Sequence, residues 1–441
     1  MKTTPRMRSR TLMTASLLGA VSLVAAACGT TSAKPTATTT PGVTASQIIL
    51  GTTTPLSGPA APGYSEIAPA AGAIFDYVNA HGGIFGRKIK FIIDNDQYNP
   101  TLTVPMTKQL VQADNVFATV GGLGTPTQLA VQPYLNSQKI PQLFIASGCA
   151  CWTDSKYPYS FGFQPNYIVE GKILGSYVKK NFAGEKVGYL YQDDEFGLDG
   201  VKGLDQEISK SSIAGEQNYQ GTSAGLAAGL GNQISALKNA GAKVVVLYTI
   251  PAATALALLA AAELRWSPQW VISSVGADPP TLAGLLSSFS KKAVTGTALL
   301  NGAITNAYLP PESDASNAWV KLSKSILTTY DKGYTAWDGN AEYGAALGYA
   351  TVELLEAAGK NLTRPGLIKA LETDGSKFAT SGLVPFTYSA SDHYGFSGSE
   401  IVKIENGNVN PVSPIYESTN TGPITTYTGS QAPVPNLFKG A

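Results

Sequence analysis

From Gln47 onward the chain alternates two periodicities. Short apolar runs rich in β-branched residues alternate with stretches whose apolar positions recur at helical spacing. Residues 47–51 predict a strand, and the Thr54-Pro55-Leu56-Ser57-Gly58-Pro59 loop follows. Over residues 66–79, Ile67, Ala71, Ile74, Phe75 and Val78 share one helical face, and His81-Gly82-Gly83 ends the helix. The alternation continues with strands at 89–94, 116–121 and 141–146 and helices at 101–113 and 126–138. It then restarts. Helices are predicted at 167–181, 197–208, 225–239 and 252–264, with strands at 186–191, 216–220, 243–249 and 269–273.

Strand–helix alternation with short connections implies parallel sheets with right-handed crossovers. The unbroken apolar runs Val244-Val245-Val246-Leu247 and Phe144-Ile145-Ala146 suit strands covered on both faces. The fold class expected is therefore α/β, with two doubly wound, Rossmann-like lobes. After Val294 the chain is expected to return to the first lobe, with helices at 315–328, 340–359 and 364–371. Strands follow at 386–388 and 401–404, and Asn406-Gly407 is a hairpin turn. The boundaries expected are 47–164 with 302–382 for the amino-terminal lobe, and 165–301 with 383–418 for the carboxyl-terminal lobe. In such sheets ligands sit beyond the carboxyl ends of the strands. Here those ends are loops rich in Gly, Ser and Thr, and a helix leaving such a loop points its positive end at the ligand.

Composition narrows the function classes. The 441 residues are 44 % hydrophobic and 14 % charged, enough apolar material for more than one core, and the net charge of +1 offers no basic stripe for nucleic acid. Residues 1–27 form a signal peptide: Lys2, Arg6, Arg8 and Arg10 precede an apolar segment that is short for a membrane span. Leu23-Val24-Ala25-Ala26-Ala27-Cys28-Gly29 resembles a bacterial lipobox, which would place a lipid on Cys28, although Ala25 stands where Leu or Val is usual. The alternative is an ordinary cleaved signal. Residues 28–46, rich in Thr, Ala, Pro and Ser, read as a disordered tether, and 419–441 as a tail that wraps on the surface or frays. With Cys28 set aside, Cys149 and Cys151 either bridge across one residue or remain free thiols.

No metal, cofactor or catalytic residue is expected. Only two histidines exist, far apart. The nucleophile elbow, phosphate loop, His-Glu-x-x-His and dinucleotide glycine motifs are all missing from the sequence. Asp94 with Asp96, and Asp193-Asp194-Glu195, read as turn-forming or solvated carboxylates.

An ordered set of motifs extends over roughly 47–405. It comprises Thr54-Pro55-Leu56-Ser57-Gly58, Asn79-Ala80-His81-Gly82-Gly83-Ile84-Phe85-Gly86-Arg87, Asp94-Asn95-Asp96-Gln97-Tyr98-Asn99-Pro100, Gly121-Gly122-Leu123-Gly124-Thr125-Pro126-Thr127, and Val187 through Gly197 with its Gln192-Asp193-Asp194-Glu195-Phe196 core. In this order they resemble the periplasmic binding proteins of branched-chain amino acid ABC transporters, the leucine/isoleucine/valine-binding type. The resemblance implies the type I fold, two lobes joined by three crossovers that close like a hinge on a small solute. It also implies delivery to ABC permease subunits, and the leader and lipobox put this on the extracytoplasmic face of the cell membrane with the lipid on Cys28 as anchor.

The resemblance assigns a solute-carboxylate role to Thr125 and to Ser147, Gly148 and Cys149. Phe196 takes the place of a closing aromatic without its hydroxyl, Tyr64 lies about one place from another aromatic contact, and Ile250 stands where a tyrosine is frequent. Trp152 is a candidate wall or interlobe packing residue. The acidic residue that grips an α-ammonium aligns near Val275, which is uncharged, and Asp278 is the nearest carboxylate, also suited to capping the helix that Pro279 begins. A buried ammonium without a carboxylate partner is costly. Together with Phe163-Gln164-Pro165-Asn166-Tyr167, this leaves amino acids, amides, urea-like molecules and small carboxylates as solute classes. A ligand-sensing subunit docked on a membrane receptor is the alternative function, and an exported enzyme a more distant one.

Overall fold

The computed structural model describes residues 40–334 and 337–438. The predicted signal peptide and Cys28 lie outside the described residues. The end of the expected tether is part of the fold: Thr40 Oγ1 donates to the Leu362 carbonyl at 2.9 Å, and Val43 bridges Ile48.

The first sheet is built from β1 (Gln47–Thr54), β2 (Lys88–Asn95), β3 (Ala118–Val120), β4 (Gln142–Ile145) and β5 (Ser160–Gly162). Helices α1 (Ile67–Ala80), α2 (Pro100–Gln112) and α3 (Thr125–Ser137) connect its first four strands. The order is β2-β1-β3-β4-β5, all parallel. The second series is α4 (Tyr167–Asn181), β6 (Val187–Gln192), α5 (Glu195–Leu204), β7 (Ile213–Tyr219), α6 (Ser223–Leu226), α7 (Gly231–Asn239), β8 (Val244–Tyr248), α8 (Pro251–Glu263), β9 (Gln269–Ile272), α9 (Pro279–Phe289) and β10 (Ile304–Ala307). The chain crosses back for α10 (Ala318–Tyr330), α11 (Gly339–Ala357) and α12 (Arg364–Asp374), then returns for β11 (Gly398–Glu405), β12 (Asn408–Glu417) and β13 (Thr425–Thr426). The second sheet runs β13-β12-β11-β10-β9-β8-β6-β7, parallel from β7 to β10 and antiparallel beyond. Among the described residues no helix is long and apolar enough to cross a membrane.

Sequence patterning missed several features. Residues 304–307 sit in the second sheet, with Ile304 opposite both Val271 and Lys403, whereas the expected boundary put them in the first lobe. Thr305 and Asn306 hide the strand signal there. Residues 386–388 are not a strand. Phe386 makes one bridge to Phe396 and joins an aromatic cluster with Phe144, Phe163 and Tyr388, at centroid separations of 4.8 to 6.2 Å. Ring packing rather than a ladder holds this segment. β5 is too short to carry a pattern.

The expected tail is fastened to both lobes. In α4, the Lys172 ammonium donates to Ser418 Oγ at 2.7 Å and to the carbonyls of Thr419, at 2.8 Å, and Gly422. In α10, Trp319 Nε1 donates to the Ala432 carbonyl at 2.7 Å, and Phe438 is buried against Tyr77 and Tyr349.

Direct bonds also join the lobes. Tyr64 OH donates to the Val275 carbonyl at 2.5 Å, the Ala150 N–H to Asp199 at 2.7 Å, and the Gly339 N–H to Asp278 at 3.1 Å. Asp338 caps α11, accepting from the N–H groups of Asn340 and Ala341. Burial, and then the neighbouring Asp278 and Glu66, push its carboxyl up to about 8.

Helix α11 is buried on almost every face and packs on α1. At Gly344 an added Cβ would lie 2.3 Å from the Ile67 carbonyl oxygen, so only glycine permits this approach. Gly344→Ala is expected to destabilise the chain by about 1–3 kcal/mol in urea unfolding, because overpacking forces backbone shifts. A second prediction concerns pH. A carboxyl raised on folding makes the folded chain hold a proton that the unfolded chain would release. This contribution is full below the unfolded value of 3.8 and is lost as pH rises through about 8. The urea midpoint of the wild-type chain should therefore fall over that window. Asp338→Asn, which keeps a capping oxygen, should flatten the fall.

Candidate functional site

A cavity of about 1070 Å³, mouth included, opens beyond the carboxyl ends of both sets of parallel strands. Its polar end is built by the turn from β3 into α3. Gly124 precedes α3 at φ 101°, a left-handed conformation that suits glycine, and a Cβ there would strike the Tyr98 ring at 2.4 Å. Thr125 opens the helix, where unpaired N–H groups and the helix dipole favour a negatively polarised group. Its hydroxyl is 2.7 Å from Ser147 Oγ, and both residues are buried.

Aromatic side chains from both lobes make the walls. Tyr64, Tyr98 and Tyr343 come from the first lobe, Tyr167 and Phe196 from the second, and Tyr308 from the crossover after β10. Asp194 caps α5 and so fixes Phe196, which packs on Tyr167 at 4.7 Å between centroids. Tyr343 OH donates to Gln164 Oε1 at 3.1 Å, and Gln164 Nε2 donates to Tyr167 OH at 3.3 Å. This bonded row lies along the wall. Burial raises these phenols above their ordinary range, so they serve as neutral hydrogen-bonding groups. Among the described residues no Lys or Arg lines the cavity, whereas Asp278, Glu312 and Glu342 do. Burial raises all three carboxyls.

Of the residues singled out from the sequence, Thr125, Phe196, Tyr64, Ile250 and Val275 line this cavity. Val275 offers its main-chain carbonyl, already taken by Tyr64, and the Ile250 N–H donates to Tyr219 OH at 3.0 Å. Asp278 also lines it, but as the cap of α9, accepting from the Thr281 N–H. Ser147 stands behind Thr125. Gly148 is off the wall: a Cβ there would lie 2.3 Å from the Pro165 carbonyl, and its own carbonyl accepts from the Tyr167 N–H. Cys149 is disulfide-bonded to Cys151 and packs with Ile145 and Trp152. Trp152 is likewise off the wall, fully buried, its indole N–H donating to the Ser147 carbonyl at 2.9 Å. The strand-end loop therefore supports Thr125 from behind.

Tyr98, Gln164 and Tyr167 lie within motifs visible in the sequence, yet their roles emerge only from their convergence. Glu342 and Tyr343 carry no such signal, since they fall in a helix whose pattern reads as core. Among the described residues no group of three or more His, Cys, Asp or Glu is placed to hold a metal ion.

Comparison with known proteins places this architecture. The sequence profile of the periplasmic binding proteins matches residues 47–408. The Leu/Ile/Val-binding protein homolog 3 of Brucella melitensis is 24 % identical over 198 residues, 45 % of this chain and 53 % of that protein. The chain spans about half the length of the curated relatives it matches. A fatty acid ABC transporter substrate-binding protein from Thermomonospora curvata superposes with a TM-score of 0.73 at 22 % identity, covering 88 % of this chain and 98 % of its own. A branched chain amino acid ABC transporter protein from Thermus thermophilus with bound valine gives 0.71 at 19 % identity, covering 85 % and 97 %. With the profile spanning most of its length and two α/β lobes built on parallel sheets, the chain belongs to the periplasmic binding protein family and has its type I fold.

Proposed function

We propose that this chain is the extracytoplasmic solute-binding protein of an ABC importer, anchored through a lipid on Cys28, that closes on a small solute and presents it to permease subunits. The family consists of solute-binding proteins rather than enzymes. The observation that carries the reading is Thr125 at the start of α3, in the lining of an aromatic cavity that both lobes build. A carboxylate or carbonyl on the solute accepts from Thr125 and the first N–H groups of α3, and the apolar body stacks on the tyrosines and Phe196. The uncharged Val275 and the committed Asp278 leave an α-ammonium without a partner at that position. The favoured solutes are accordingly amides and carboxylates rather than standard α-amino acids.

Thermal-shift screening of the purified chain against amino acids, amides, urea, and aliphatic and aromatic carboxylates tests the reading. A tight solute raises the melting temperature by mass action, and a panel with no shift counts against solute capture. With the solute in hand, Thr125→Val should weaken binding by about 1–2 kcal/mol through the lost hydrogen bond, and unchanged affinity removes Thr125 from the site. Cys28→Ala should move the chain from the membrane fraction to the soluble fraction of expressing cells. Continued membrane association would contradict the anchor.

A further inference from the structure

Glu342 is a buried carboxyl in the cavity wall that nothing above accounts for. It lies in α11, only 2 % exposed, and lines the cavity, yet its Oε1 has no hydrogen-bond partner. A buried polar atom left unpaired costs free energy, so this oxygen calls for a partner. Its neighbours do not supply one. Glu312, from the crossover before α10, also lines the cavity and adds negative charge beside it, as does Asp314 nearby. Lys324 on α10 is the cation in the vicinity, but its ammonium donates to the Glu312 main-chain carbonyl at 3.3 Å and lies 5.4 Å from the centroid of the Trp337 ring. Asp278 uses one oxygen for the Gly339 N–H and the other for the Thr281 N–H.

Resting on the solute-binding reading above, we propose that Glu342, backed by Glu312, receives a protonated amine or amidinium at one end of the solute, while its carboxyl end sits at Thr125. The bonded row Tyr343–Gln164–Tyr167 runs from the residue next to Glu342 in α11 to a phenol that meets Thr125, so the proposal sets the charged ends on well-separated atoms. An α-amino acid, with both groups on one carbon, does not reach both. An ω-amino acid or similarly extended amine does. Burial and the Glu312 charge hold a proton on Glu342, and an arriving cation displaces that proton to solvent. Binding is therefore coupled to proton release and strengthens as pH rises.

Calorimetric titration of the full chain with 6-aminohexanoate, hexanoate and leucine, in two buffers of different ionisation enthalpy, tests this. The expected result is at least about tenfold tighter binding of 6-aminohexanoate than of hexanoate or leucine, with proton release. Glu342→Gln should erase that advantage and the proton release. Thr125→Val should weaken 6-aminohexanoate and hexanoate alike. Should 6-aminohexanoate bind no better than hexanoate, or bind the wild-type chain without proton release to solvent, the Glu342 subsite is overturned and carboxylate capture stands. The same holds if a folded Glu342→Gln chain keeps the advantage. Should none of the three probes bind, the Glu342 subsite is overturned, while the solute-binding reading is decided by the thermal-shift panel.

Discussion

Parallel pairing within the two sheets places the carboxyl ends of β1, β3 and β4 in one row and those of β6, β8 and β9 in another. All the loops and helix starts that leave those ends open toward one cavity, and every functional feature descends from this constraint. The helices that follow bring unpaired N–H groups to the site, the strands behind are sealed on both faces, and the loops are free to carry side-chain chemistry. The close approach of α11 to α1 at Gly344 extends the arrangement, because it sets the first turns of α11 against the cavity although that helix follows no strand of the first sheet.

The electrostatics follow from burial rather than from pairing. The cavity contains carboxyls and phenols without a lysine or arginine among its lining residues. Desolvation moves these groups toward their neutral forms, so the cavity offers hydrogen bonds and aromatic faces. The same effect acts at the lobe junction, where Asp338, Asp278 and Glu66 crowd together and burial favours protonated carboxyls. Because Tyr64 and Asp278 bind across that junction, groups that shape the cavity also help hold the lobes together.

The strand–helix rhythm over 47–273 and the Asn406-Gly407 hairpin were legible because periodicity and turn chemistry are local properties. Asn406 and Gly407 both take the positive φ that a two-residue hairpin turn requires. The turn into α3 was legible for the same reason: Gly124, Thr125 and Pro126 each have a conformational or capping preference that needs no distant partner. Residues 304–307 and 386–388 were misread where local signal is weak. A short strand with Thr and Asn at its centre looks like a loop, and a Phe-Thr-Tyr run looks like a strand until its rings find the aromatic cluster.

The sequence by itself therefore determined the α/β class, the two-lobe plan and the loops in which a site would be built, since these rest on patterns within a few residues of each other. Only the tertiary structure decided which side chains reach the cavity. Ser147, Gly148, Cys149 and Trp152 turn behind the wall because their backbone and ring contacts lie on the far side of Thr125. Tyr98, Gln164 and Tyr343 turn into it, and Glu342 becomes an unpaired buried carboxyl only once α11 is packed. Neighbour relations across some two hundred residues depend on the packing of whole helices, and no local pattern records them.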